Sequence, residues 1–145
     1  MKLEANPQPQ MGEVRVKVKL TNGADQWLAD TGGLEGSRVR SCELEAMVDT
    51  GAVRSAIPEA VARQLGVPST RLKTVALADG RTASVPLVGP LVFDIDGRDT
   101  FDDAYVMGDE VLIGQTVLEK MDLLVDCARQ RLVPAHPEGP INKLK

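Results

Sequence analysis

Two Asp-Gly pairs, each placed between apolar runs, constrain the fold of this chain more than any other feature. Asp79-Gly80 divides the segment 74–87, and Asp96-Gly97 divides the segment 91–105. Asp-Gly between apolar runs favours a tight hairpin, because both residues of the turn need a positive φ. The sequence therefore predicts two successive antiparallel hairpins.

The remaining segments predict more strands and two short helices. Strict alternation of apolar and charged residues over 13–20 predicts a half-buried strand, and further strands are predicted over 38–48, 111–114, 123–125 and 131–133. Pro58 suits a first helical position and Gly66 the residue after a helix, so a helix is predicted between them, and a second over 115–121. The segment 21–37 is dense in Gly, Asp and Thr and is predicted to be a loop.

Composition agrees with a β-rich domain. The 145 residues fit one domain, and the scarcity of aromatic residues leaves Val, Leu, Ile, Ala and Met to fill the core. We predict a flexible arm over 1–12, the domain over 13–134 and a Pro-rich polar tail over 135–145.

Charge and cysteine content exclude several classes of function. The net charge is −4 and the basic residues are dispersed, which argues against nucleic acid as a partner. No window is apolar enough for a signal peptide or a membrane span. Cys42 and Cys127 have neither a disulfide framework nor metal-ligand spacing, and both are predicted to be buried on strands. A cytoplasmic localisation is expected.

Asp-Thr-Gly occurs twice, and only the second copy follows an apolar strand. Residues 46–48 lead directly into Asp49, whereas Asp30 lies in the predicted loop. If both copies were half-sites of one active site, each would need a lobe of about 100 residues. The two copies are only 19 residues apart, which is too close for that arrangement. Asp49 is therefore the catalytic candidate, and Asp30 is predicted to be a solvated loop carboxylate. The tripeptide alone favours another interpretation, in which Asp49 caps a turn at the end of a strand through its side chain.

Three features follow one another along the chain: the segment 47–52 (Met-Val-Asp-Thr-Gly-Ala), the hairpin at Asp79-Gly80, and Val111, Leu112, Ile113 and Gly114 followed by a helix. With these features the chain resembles, over about 13–134, the retropepsin-like aspartic proteases, particularly their small bacterial members. The segment 47–52 matches the catalytic motif of that family, Asp79-Gly80 stands where the family has its flap, and the segment 111–114 matches its second signature, which packs on the catalytic loop. The resemblance implies a mostly all-β fold: a closed retropepsin-like acid protease β-barrel with two short helices and one lobe per chain.

The resemblance also implies an aspartic endopeptidase that works as a homodimer on polypeptide substrates, without metal or cofactor. Each subunit would supply one Asp49, and water held between the two carboxylates would attack the peptide bond. Thr50 and Gly51 would support the catalytic loop. The implied substrate-binding residues are Ala52, Leu77, Ala78, Asp79, Gly80 and Arg81.

One departure from the family pattern keeps an alternative open. Retroviral members often carry an Asp shortly after the motif and an Arg after the second signature, which pair; here those places hold Val53 and Gln115. Arg54 is nearby but has no partner evident in the sequence. The alternative is a non-catalytic peptide-binding or dimerisation module with this fold.

Other acidic clusters have simpler interpretations. The segment 94–99 has its glycine too early for a calcium-binding loop and is predicted to be a hairpin turn. Asp102 and Asp103 are predicted to be surface charge, because neighbours on a strand point to opposite faces. The single histidine, His136, lies in the tail, which argues against a Ser or Cys triad.

Overall fold

The computed structural model describes residues 13–142, and nearly half of this range is β-strand. The strands are β1 (Val14–Asn22), β2 (Ser41–Val48), β3 (Ser55–Ile57), β4 (Ser69–Ala76), β5 (Thr82–Ile95), β6 (Arg98–Val106), β7 (Val111–Ile113), β8 (Leu123–Asp126) and β9 (Arg131–Pro134). The helices are α1 (Gly23–Asp30), α2 (Glu59–Leu65) and α3 (Gln115–Met121), and a 3-10 turn spans Gly36–Arg38. The arm predicted over 1–12 lies outside the described residues.

Six strands form a closed barrel. They are connected in the order β1, β2, β7, β3, β6 and β5, with parallel pairing at β2–β7 and at β3–β6. β1 then pairs with β5 in the register Lys19↔Asp94 to Asn22↔Leu91, which closes the ring. β4 extends the sheet from β5, and β8 and β9 form a separate hairpin. The predicted closed, mostly β architecture is confirmed.

Aliphatic side chains fill the barrel, together with one aromatic ring. Phe93 on β5 is fully buried, and removing a side chain of this kind from water stabilises the fold by about 1.5–3 kcal/mol. The other large, fully buried residues come from the strands, α2 and α3: Val14, Val18, Leu20, Ile57, Leu65, Leu91, Ile95, Ile113, Val117, Leu118 and Met121. The scarcity of aromatic residues is therefore met by close packing of branched side chains.

Both predicted hairpins are present, but their turns differ. Asp96 and Gly97 both have positive φ (52° and 82°), as the two-residue turn between β5 and β6 requires. In the β4–β5 connection only Gly80 has a positive φ, of 89°. There the chain makes a wider loop, closed by a hydrogen bond from the Leu77 N–H to the Arg81 carbonyl at 2.7 Å. The prediction of positive φ at both residues is wrong for Asp79-Gly80.

The predicted loop 21–37 is wrong over most of its length, because it contains α1 and the 3-10 turn. The Asn22 side chain caps α1 by accepting a hydrogen bond from the Asp25 N–H at 3.0 Å. The buried Asp25 carboxylate in turn accepts hydrogen bonds from the backbone N–H and the guanidinium of Arg40. The described residues thus contain three α-helices where two were predicted.

Near the C-terminal end, the structure corrects one further prediction and shows a contact of the single histidine. Cys42 is half-buried on β2, but Cys127 is exposed in the turn after β8, so its predicted burial on a strand is wrong. His136, in the predicted tail, places Nδ1 2.6 Å from Oδ2 of Asp122 at the end of α3. Within 13–142 no helix is long and apolar enough to cross a membrane.

Candidate active site

β2 carries Asp49 to one end of the barrel. Its last three residues pair with β7 in the register Ala46↔Val111 to Val48↔Ile113. The next residue, Asp49, continues this contact, since its N–H donates to the Ile113 carbonyl at 2.9 Å. β7, which belongs to the second signature of the sequence, therefore fixes the backbone position of Asp49.

The loop after β2 folds back on the Asp49 carboxylate. The Gly51 N–H donates to Oδ1 of Asp49 at 3.0 Å, and the Ala52 N–H donates to the Asp49 carbonyl at 3.1 Å. A Cβ atom at Gly51 would lie 3.3 Å from the same Oδ1, so a side chain there would press on the carboxylate. Asp49 is half-buried, and Thr50 is exposed at the tip of the loop.

Gly114 brings the second signature into direct backbone contact with this loop. Its N–H donates to Oγ of the buried Ser55 at 2.8 Å. A Cβ atom at Gly114 would lie 2.4 Å from the carbonyl carbon of Arg54, closer than any side chain tolerates. The glycine is therefore required by packing, and Ser55 is a supporting residue that the sequence analysis missed.

The same loop also caps α3. The N–H groups of Gln115 and Thr116 donate to the carbonyls of Ala52 and Val53 at 2.9 and 3.0 Å. The first N–H groups of a helix have no partner inside the helix, so these bonds satisfy donors that would otherwise face solvent. The catalytic-loop candidate is thus held at one end by β7 and at the other by α3.

Asp49 opens into a cleft of about 850 Å³. The loop after β2 forms one wall, and the end of β4 with the first residues of the β4–β5 connection forms another. The lining residues are Asp49, Gly51, Ala52, Val53, Arg54, Ala56, Thr74, Val75, Ala76, Leu77, Ala78, Tyr105, Met107, Leu112 and Thr116. A cavity of this size is within the range of ligand-binding sites.

The cleft brings together some of the predicted substrate-binding residues and not others. Ala52, Leu77 and Ala78 line it with Asp49. Asp79, Gly80 and Arg81 are exposed at the flap tip and are not among its lining residues. At the tip, Nε of Arg81 lies 2.6 Å from Oδ2 of Asp79, which closes the turn from its outer side.

Arg54 has partners that the sequence did not reveal. Its Nε lies 3.2 Å from Oδ1 of Asp103, and its Nη1 donates to the Tyr105 hydroxyl at 3.4 Å. Asp102, the neighbour of Asp103, accepts a hydrogen bond from Oγ1 of Thr116 at 2.7 Å on α3. Asp102 and Asp103 were predicted to be surface charge; both are half-buried and bind groups next to the cleft. The Arg54–Asp103 pair joins residues far apart in the sequence, so it becomes visible only in the structure.

Val53 and Gln115 stand where retroviral members often have an Asp–Arg ion pair, and their uncharged side chains cannot form one. Val53 is 71 % exposed beside the cleft, and the Gln115 side chain contacts Glu119 on α3. Asp30 is exposed at the end of α1, where its Oδ1 accepts a hydrogen bond from Gln26. Among residues 13–142 no group of His, Cys, Asp and Glu side chains could hold a metal ion.

Comparison with known proteins identifies a family for this chain. A search of curated proteins finds none that matches the chain. A family model described as gag-polyprotein putative aspartyl protease matches residues 37–120, which is more than half of the chain. The matched range runs from just before β2 to the last turn of α3 and includes both Asp49 and Gly114.

Proposed function

Because the chain belongs to the gag-polyprotein putative aspartyl protease family, we propose that it is an aspartic endopeptidase that acts as a homodimer. The observation that carries this proposal is the position of Asp49. Its carboxylate stands on a loop fixed at both ends, at the wall of a cleft that the end of β4 and Leu77 and Ala78 also line. In the proposed function the β4–β5 hairpin would close over a bound peptide.

The proposed reaction needs two Asp49 carboxylates. When two carboxyl groups lie close together, ionisation of one disfavours ionisation of the other, so the pair shares one proton. The ionised member takes a proton from water, the water oxygen attacks the carbonyl carbon of the scissile bond, and the protonated member donates its proton to the carbonyl oxygen, which gives a gem-diol. The first carboxyl group then donates its new proton to the amide nitrogen, the C–N bond breaks, and the other carboxylate takes a proton from one hydroxyl of the gem-diol. The products are a carboxylic acid and an amine, and the pair again holds one proton. In this scheme the Gly51 N–H, 3.0 Å from Oδ1, keeps the carboxylate in one orientation.

A second copy of the chain is the proposed source of the second carboxylate. The lining of the cleft contains one Asp-Thr-Gly aspartate, Asp49, and does not include Asp30. A two-fold axis next to the loop would bring the two loops together. Exposed Thr50 and Val53 are available for burial in such an interface, with Val53 supplying apolar area where retroviral relatives have a charged residue.

Substitution of the two aspartates tests the proposal directly. The purified protein is incubated with a diverse peptide library from acid to neutral pH, and products are identified by mass spectrometry. We expect Asp49→Asn to lower the cleavage rate by at least about 1,000-fold, in the range of general acid–base catalysis. Asp30→Asn, the matched control in the other tripeptide, should retain the wild-type rate.

Sedimentation velocity on the same samples separates the outcomes. If wild type and Asp49→Asn are equally inert although both are dimeric, the protease proposal is wrong. Peptide binding by that inert dimer would instead support the non-catalytic binding module. The cytoplasmic localisation stays a prediction, which cell fractionation would test.

A further inference from the structure

We propose that the two Arg54 residues of the dimer select substrates that carry an acidic side chain on each side of the scissile bond. This inference rests on the proposed protease function and specifies its substrate class. It starts from the charges of the cleft: among the lining residues, Asp49 and Arg54 are the ones with charged side chains. Since Asp49 performs the proposed chemistry, Arg54 is left to provide charge recognition.

Arg54 is held in place by β6. Its Nε is 3.2 Å from Oδ1 of Asp103, and its Nη1 reaches the Tyr105 hydroxyl at 3.4 Å. The guanidinium carbon also lies 5.9 Å from the centre of the Tyr105 ring, within the range of a cation–π contact. Because Tyr105 itself lines the cleft, these contacts hold the guanidinium at the cleft wall. A cation held in this way loses less conformational entropy when it binds a ligand.

The guanidinium keeps donors for a ligand. An arginine has five N–H groups in a planar fork that matches a carboxylate. The Tyr105 hydroxyl accepts a hydrogen bond from Nη1, and Asp103 lies within ion-pair distance of Nε without accepting a hydrogen bond from it. Among residues 13–142 no hydrogen bond from Nη2 is present. The hydrogen bond to Tyr105 and the charge of Asp103 raise the pKa of Arg54, so the side chain stays cationic at any working pH.

Two observations limit the strength of this recognition. Asp103 neutralises part of the positive charge, and the Arg54 side chain is 39 % exposed. A partly exposed ion pair contributes up to about 1 kcal/mol, which corresponds to a preference of about five-fold. We therefore expect a graded preference for acidic peptides, one that weakens as salt concentration rises.

Symmetry gives the inference a specific signature. In a two-fold dimer each protomer contributes one Arg54, and the two lie on opposite sides of the two Asp49 carboxylates. An extended peptide bound across the centre would meet one arginine before the scissile bond and the other after it. Cleavage sites should therefore show acidic residues enriched at two positions related by this symmetry.

Matched peptides provide the test. Peptides taken from the library products are made with Glu, Gln or Lys at each enriched position, and kcat/KM is measured for wild type, Arg54→Gln and Arg54→Glu. We expect a Glu-over-Gln preference of about five-fold for wild type, none for Arg54→Gln, and a preference for Lys over Gln for Arg54→Glu. Arg63→Gln is the control: Arg63 is exposed on α2, pairs with Glu59, and lies outside this cleft.

Failure of the inference is distinguishable from failure of the protease proposal. Cleavage of Glu and Gln peptides at equal rates, or an unchanged preference in Arg54→Gln, overturns the role of Arg54 and leaves the protease intact. If no peptide is cleaved, fluorescence anisotropy is used on Asp49→Asn and on Asp49→Asn/Arg54→Gln, with labelled library peptides in which each acidic position carries either Glu or Gln. A Glu preference confined to the first variant supports Arg54; equal binding, or no binding, overturns it.

Discussion

The two Asp-Thr-Gly segments have the same three residues and opposite local structures. At the end of α1, Oγ1 of Thr31 donates to the Trp27 carbonyl at 2.9 Å, and Gly32 takes a φ of 87°. After β2, Thr50 is exposed, and the Gly51 N–H donates to the Asp49 carboxylate. The first copy terminates a helix, and the second presents a carboxylate to a cleft.

What differs is the support that each segment receives from distant residues. Asp30 is contacted by Gln26 within its own helix. Asp49 is contacted by Ile113, 64 positions later in the chain, and its loop caps α3. A three-residue motif therefore predicts a site only together with the segment that packs against it, which here is the sequence around Gly114.

After substitution of the aspartates, the largest loss of stability and activity is expected when the packing around Gly114 is disturbed. Gly114→Ala would place a Cβ 2.4 Å from the Arg54 carbonyl carbon, so the backbone must shift. We expect a loss of about 3 kcal/mol in the free energy of unfolding, from urea titration. A shift of the loop by about 1 Å should also lower kcat/KM by about 100-fold.

Gly36→Ala is the matched control for this prediction. Gly36 lies in the 3-10 turn, and a Cβ there would meet no atom within 4 Å. Its free energy of unfolding and its activity should both stay close to the wild-type values. If Gly114→Ala and Gly36→Ala behave alike, close packing between the second signature and the catalytic loop is not what distinguishes the two tripeptides.

This contrast also explains how much of the molecule the sequence predicts. Strands, hairpins and the helices after Pro58 and Gly114 follow from local patterns, and the barrel and the Asp49 loop follow from the resemblance that these patterns carry. The segment 21–37 contains weak local helix signals, an Asn three residues before an Asp and the glycine Gly32 beyond them, and both are also typical of turns.

The features that were missed depend on contacts between distant residues. α1 is secured by the Asp25–Arg40 pair and by the close approach of Gly23 to Pro90, where a Cβ would lie 2.8 Å from the carbonyl oxygen. Arg54 likewise finds Asp103 about fifty residues later. Neither pairing produces a periodicity or a spacing that a single sequence displays.

The glycines of the two tripeptides should respond in opposite ways to the same substitution. Gly32→Ala forces a residue with a side chain into a left-handed φ, which should cost about 1 kcal/mol of stability and leave activity unchanged. In Gly51→Ala the new Cβ presses on Asp49 at 3.3 Å, so we expect activity to fall about ten-fold with little change in stability. Thermal unfolding and kcat/KM are measured on both variants to check that one loses stability and the other loses activity.

The result that would contradict it is a shared response. If both substitutions lower stability and spare activity, the second tripeptide is a turn like the first, and the proposed role of Gly51 is wrong. If both lower activity, α1 takes part in catalysis in a manner that its position outside the cleft does not explain.

The smallest expected effect concerns pH and the helix that carries the first tripeptide. Hydrogen bonding from the Arg40 guanidinium holds the pKa of Asp25 below its ordinary value of 3.8. Since the unfolded chain takes up this proton more readily, the ion pair stabilises the fold fully above that value. The contribution is lost as the pH falls through the lower folded pKa.

Asp25→Asn should therefore be less stable than wild type at neutral pH, and the difference should shrink as the pH drops below about 3.8. Urea unfolding at neutral pH and at successively lower pH measures the difference between the two proteins. Asp30→Asn is the matched control, because it removes an exposed carboxylate from the same helix and leaves the Arg40 pair intact. A pH-independent difference for Asp25→Asn would mean that packing around Asn22, and not the ion pair, secures the helix on which the first Asp-Thr-Gly ends.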